Sequence, residues 1–165
     1  MPQNRLATAA QIVLLAPLSL ILAAFHGFVG WHKAFAPLNE LARHTAWTVH
    51  LPEALGRTIG WMEIGLALVL IAALIGHFKR PALARAGMWA AVVFVVLEVI
   101  SSWVHYRHGE VFMLKQNAVS VGMTALVAWL YRSRSAKSRV SKKLAHTLTA
   151  TGRSRNGGRA LCKDE

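Results

Sequence analysis

The placement of charge along this chain limits the folds open to it. Residues 12–31 contain no Lys, Arg, Asp or Glu. Residues 58–76 contain only Glu63, and residues 86–104 only Glu98. Crossing about 30 Å of hydrocarbon takes roughly 20 apolar residues in a helix, so each block is long enough to span a bilayer. A fourth block, 111–131, has Lys115, Gln116 and Asn117 near its start, then a charge-free run from Ala118. It reads as a span whose first turn sits among the headgroups. The first block is too long for a signal-peptide core of about 7–15 residues and has no clean small-x-small cleavage site, so it reads as a retained span. Pro17 lies inside it, where a kink is tolerable if a neighbouring helix resupplies the freed backbone bonds. The sequence thus predicts an all-α fold, a transmembrane four-helix bundle with spans at about 11–31, 58–76, 86–105 and 111–131. Residues 1–131 form the bundle, and 132–165 a basic cytoplasmic tail that is largely disordered, with a short surface helix possible at 133–145.

The formal net charge is +12 and is uneven. From Arg132 onward ten Lys/Arg face Asp164 and Glu165, a net of 10 − 2 = +8; the first 131 residues hold nine Lys/Arg and five Glu, a net of 9 − 5 = +4. Beside a membrane span, such a tail finds anionic lipid headgroups first. Nucleic acid is not expected, because no stacking platform or recognition motif accompanies the charge. The basic residues also orient the bundle. Arg5, Lys79, Arg80, Arg85 and the tail share one side, against Lys33, Arg43, Arg57, Arg107 and Lys115 on the other. Both termini are therefore expected in the cytoplasm. Trp31, Trp47, Trp61, Trp103 and Tyr106 would then mark the outer interface, and Trp129 and Tyr131 the inner one. Cys162 is the only cysteine, which excludes thiol–disulfide chemistry carried by this chain alone.

The spans are not uniformly apolar. His26, Glu63, Glu98 and Asn117 fall at similar depths below the outer ends of spans one to four, within a few ångströms at 1.5 Å per residue. Each sits on a stripe of small and polar residues, such as Gly56, Gly60, Glu63 and Ala67 in span two. The stripes should face the bundle centre. A lone carboxylate in hydrocarbon costs about 2.5–3.5 kcal/mol even on the lenient scale, so Glu63 and Glu98 must be protonated, hydrated or paired. The candidate binding or proton-relay residues are His26, Lys33, Glu63, Glu98, His105 and Asn117, lining a cavity open to the outer face. The same residues could simply lock the helices in register, Asn117 by a helix–helix hydrogen bond. Lys33 is expected to snorkel to the surface.

No intrinsic metal site is expected. No Glu-x-x-His pair lies within one span, and His105-x-x-His108 falls where a helix ends. His44 and His50 read as ordinary loop residues, and His26 alone does not make a haem site. No nucleophile–base arrangement, phosphate loop or dinucleotide fingerprint is visible, so an enzyme acting by itself is not supported.

Four segments carry a resemblance: Gly30-Trp31-His32-Lys33; His44-Thr45-Ala46-Trp47-Thr48-Val49-His50-Leu51-Pro52-Glu53; Gly56-Arg57-Thr58-Ile59-Gly60-Trp61-Met62-Glu63; and His108-Gly109-Glu110 followed by Asn117. In this order and spacing, over residues 10–131, the chain resembles the DoxX-like membrane proteins. The resemblance implies a four-helix protein of the bacterial cytoplasmic (inner) membrane, with Lys33, Glu63, Glu110 and Asn117 as motif residues. Some members belong to quinone-linked oxidoreductase complexes, which implies an accessory subunit with a quinone as possible cofactor and a membrane oxidoreductase as possible partner. A shared fold does not by itself carry a shared chemistry. A carrier for a small polar molecule or a proton, or an assembly factor without a site of its own, uses the same residues.

Overall fold

The computed structural model describes residues 3–76 and 80–133, with side chains from Val13 onward. The expected basic tail, its surface helix, and Lys79 of the second linker lie outside the described residues. Helix α1 (Gln3–Phe35) is followed by a short α2 (Leu38–Arg43) and a 3-10 turn at Trp47–His50. Then come α3 (Glu53–Gly76), α4 (Pro81–Arg107) and α5, residues 113–133. Among the described residues there is no strand. Three helices, over Val13–Phe35, Glu53–Gly76 and Pro81–Arg107, are long and apolar enough to cross a membrane.

The distribution of side chains suits a bilayer. Val13, Ile75 and Trp89 are among many large apolar residues pointing outward, while Ser19, His26, Glu63 and Thr124 are buried. A soluble protein keeps contiguous apolar patches small, whereas lipid tails solvate them. Between the helices the packing uses small residues: Ala23, Ala67, Ala73, Ala90 and Ala91 are all buried. Small residues let helix backbones approach where burying apolar area gains nothing over lipid. Leu15, Leu70, Phe94 and Leu130 form an apolar core together with Tyr131.

Helices α1 and α3 approach each other closely at Gly30 and Gly60. A Cβ on Gly60 would lie 2.7 Å from the Gly30 carbonyl oxygen and from the Ala34 nitrogen. A Cβ on Gly30 would lie 2.7 Å from the Gly60 oxygen. One turn away, Arg57 Nη1 donates to the Lys33 oxygen at 2.9 Å and to the Ala36 oxygen at 2.5 Å. These carbonyls close α1, where no further turn could satisfy them. Arg57 thus belongs to α3 and caps α1, rather than lying in a linker.

Two turns of one design shape the end of the molecule that carries the α1–α3 connection. After α2, Ala46 N donates to the Leu41 oxygen and Thr45 N to the Ala42 oxygen. After α4, Glu110 N donates to the His105 oxygen and Gly109 N to the Tyr106 oxygen. Both are Schellman endings, which need a left-handed residue after the cap. Gly109 meets that need at φ 75° without a Cβ; Thr45, at φ 50°, is a β-branched residue in a region such residues avoid.

Three expectations about individual side chains are corrected. Lys33 does not snorkel: it is 5% exposed, because Glu63 on α3 offers a counter-charge inside the bundle. Trp47 is buried under the connection instead of joining an outer belt, and Tyr131 is fully buried instead of marking an interface. Trp31, Trp61, Trp103 and Trp129 do point outward.

Candidate functional site

The polar residues of the helices meet around one cavity of about 470 Å³. All six residues singled out by sequence line it: His26, Lys33, Glu63, Glu98, His105 and Asn117. The helical stripes explain the convergence, since each places its polar residue on the face turned toward the other helices. The α2 segment and the 3-10 turn roof the cavity with Leu41, Ala46 and Trp47.

The two intramembrane carboxylates have different surroundings. Glu63 Oε1 accepts a hydrogen bond from Lys33 Nζ at 2.6 Å, and both side chains are about 5% exposed or less. Lys33 Nζ also lies 5.2 Å from the centre of the Trp47 ring, within cation–π range. Glu63 Oε2 is buried without a hydrogen-bond partner. Glu98, on α4, has no cation at contact distance among the described residues. Its Oε1 accepts from Ser120 Oγ at 3.0 Å, and His26 Nε2 lies 3.9 Å away, beyond hydrogen-bond range.

His26 is held by its ring. It stacks on Phe94 at 3.9 Å and 18°, with Phe25 edge-on at 5.2 Å. Its Nε2 is buried and has no hydrogen-bond partner. Leaving such a group unsatisfied costs about 1–3 kcal/mol. A bound polar group in the cavity would recover that loss.

Asn117 and His105 are already engaged. Asn117 Nδ2 donates to Ser101 Oγ at 3.1 Å and Ser102 Oγ at 3.2 Å, tying α5 to α4. His105 Nδ1 donates to Glu110 Oε2 at 2.6 Å. Glu110 Oε1 meets His50 Nε2 at 3.4 Å, and the His50 ring stacks on His108 at 3.6 Å. Partial burial acts to raise the Glu110 carboxyl, but the hydrogen bonds from His105 and His50 outweigh it and hold the group below its ordinary value. Glu110 therefore stays an anionic clasp between the α1–α3 connection and the α4–α5 turn. His50 is part of this clasp, not a free loop residue. Sequence reasoning also missed Trp47 as a roof and Ser120 as a donor, although Ser120 lies on the same stripe as Asn117.

A second hollow adjoins the first. It is an apolar groove of about 350 Å³ between α1 and α5, lined by Ile21, Leu22, Val119 and Met123. Phe25 and Gln116 line both spaces. Ile21 and Val119 are exposed, so the groove opens on the lipid-facing side.

Apolar helices around a polar internal layer define a helical membrane protein. The model of the DoxX-like family matches residues 17–130, which include all six cavity residues, and the chain belongs to that family. No curated protein and no solved structure matches the chain.

Proposed function

We propose that the chain is an accessory subunit of a quinone-linked membrane oxidoreductase system and holds a quinone headgroup in the 470 Å³ cavity. The observation that carries this reading is the two-part hollow. A largely apolar chamber with a few inward polar groups shares Phe25 and Gln116 with an apolar groove that opens toward lipid. That shape suits a ligand with a polar head and a long apolar tail better than a small polar solute. The chamber also falls inside the roughly 300–1,000 Å³ range of small-molecule sites.

His26 Nε2, buried and unpartnered, and the Glu98 carboxyl beside it supply the polar contacts for such a head. When bound, a quinone supplies two-electron, two-proton chemistry, and the electrons come from a partner subunit. This chain orients the head and manages a proton. His26, fixed by Phe94, gives or receives a hydrogen bond. Glu98, lacking a contacting cation and held by Ser120, is the group that takes up or releases the proton. Lys33 already neutralises Glu63, so that pair contributes rigidity more than proton exchange.

The same reading has α5 as the fourth span and both termini in the cytoplasm of a bacterial inner membrane, with the basic tail against anionic headgroups.

Extraction into native-lipid discs, followed by mass spectrometry of bound lipids, tests the proposal. Quinone should be enriched over the bulk membrane in the wild type and depleted in His26→Leu. Enrichment no higher in wild type than in an unrelated membrane protein would end the quinone reading.

A further inference from the structure

Beside the cavity mouth, three side chains from two elements converge. His32 comes from the last turn of α1, Glu40 from α2, and His44 from its C-terminal cap. One ligating atom from each lies within 4.8 Å of the other two. His44 Nε2 stands 3.2 Å from Glu40 Oε1, and the His32 and His44 rings meet edge-on at 5.4 Å. We propose that His32, Glu40 and His44 form a divalent transition-metal site, with zinc the best-fitting ion.

The chemistry of the set is suitable. Two imidazoles and a carboxylate form a ligand group used for zinc and neighbouring first-row metals. Zinc takes such ligands at about 2.0–2.2 Å, which puts tetrahedral neighbours roughly 3.3 Å apart. His44 and Glu40 are already at that separation. His32 has a ring nitrogen within 4.8 Å of both.

An ordinary helix-surface ion pair would account for Glu40 and His44, spaced four residues apart and partly exposed. It does not account for His32. That residue belongs to another element, and its Nε2 is buried without a hydrogen-bond partner. Arg43 Nη1 stands 3.6 Å from Glu40 Oε2, on the oxygen that does not face His44. Oε1 is the oxygen turned toward His44. The Schellman ending after α2, with Thr45 forced to φ 50°, fixes the backbone beside His44.

Three protein ligands leave a tetrahedral ion one position for water or another ligand. His32 and His44 both line the cavity, so an ion held by them would sit at its edge. The site does not depend on the quinone reading and would exist whatever the cavity holds.

The test is zinc titration of the full chain in detergent after chelator treatment, with cobalt as an optical probe of tetrahedral geometry. Wild-type protein should bind one zinc ion that Glu40→Gln and His44→Ala each weaken by more than about tenfold, the smallest loss expected of a supporting residue. His50→Ala should bind zinc as wild type does. Glu40 and His44 are exposed enough that their variants will fold, which unchanged helical circular dichroism will verify. Equal binding by wild type and His44→Ala, or no stoichiometric binding by wild type, overturns the proposal. Quinone content measured on the same samples separates this outcome from failure of the functional reading.

Discussion

Glu63 and Glu98 stand in the same polar layer on neighbouring helices, yet the molecule treats them differently. Glu63 belongs to the α1–α3 seam, where one of its two oxygens is held by a cation. Lys33 neutralises it, Gly30 and Gly60 bring the backbones together, and Arg57 closes α1. Glu98 belongs to the α4 side of the cavity, with one hydroxyl donor and a histidine just out of reach. A buried charge with an opposite charge at 2.6 Å holds helices in register; one without it must find a proton, water or a ligand. The seam is therefore the lock, and the Glu98–His26 side is the working surface.

The largest effect should come from breaking the seam itself. Gly60→Leu forces a side chain into a gap where even a Cβ would sit 2.7 Å from backbone atoms. The expected outcome is little or no folded protein after mild extraction, followed by size-exclusion chromatography. Lys33→Met comes next, since it leaves Glu63 buried and unpaired. Thermal unfolding in lipid discs should show a loss of about 3–5 kcal/mol, and adding Glu63→Leu should restore most of it. No restoration would mean that the pair does more than balance charge.

The smallest effects belong to the two helix endings. Gly109→Ala places a Cβ at φ 75° and should cost about 1 kcal/mol. Thr45→Gly relieves a left-handed threonine and should stabilise by about 0.5–1 kcal/mol, the strain relieved less the chain entropy glycine adds. Chemical denaturation of the two variants side by side measures both signs.

Much of this contrast was legible in the sequence, though not all. Charge-free runs near the length of a bilayer fixed the long helices, and the stripe around Glu63 fixed its inward face. Four cavity residues, His26, Glu63, Glu98 and Asn117, followed from depth and period, and Lys33 and His105 entered as charge partners within reach. What periodicity could not show was pairing between helices. Whether Lys33 turns outward to water or inward to Glu63 depends on how closely α1 and α3 approach. That approach is set by Gly30 and Gly60 on two helices at once. The connection was harder still. Trp47, His50 and His44 owe their places to short turns, where one left-handed residue redirects the chain. Thr45 gives no hint of that role, because glycine is the residue such a position normally announces.

The central claim, that Glu63 is the lock and Glu98 the exchange group, is tested most directly by one paired measurement. Quinone content and unfolding temperature would be determined for Glu98→Gln and for the double variant Lys33→Met/Glu63→Leu in native-lipid discs. Glu98→Gln should unfold within a few degrees of wild type, since Gln still accepts from Ser120, but lose most of its quinone. The double variant should keep its quinone. A double variant that loses quinone while Glu98→Gln retains it would reverse the assignment.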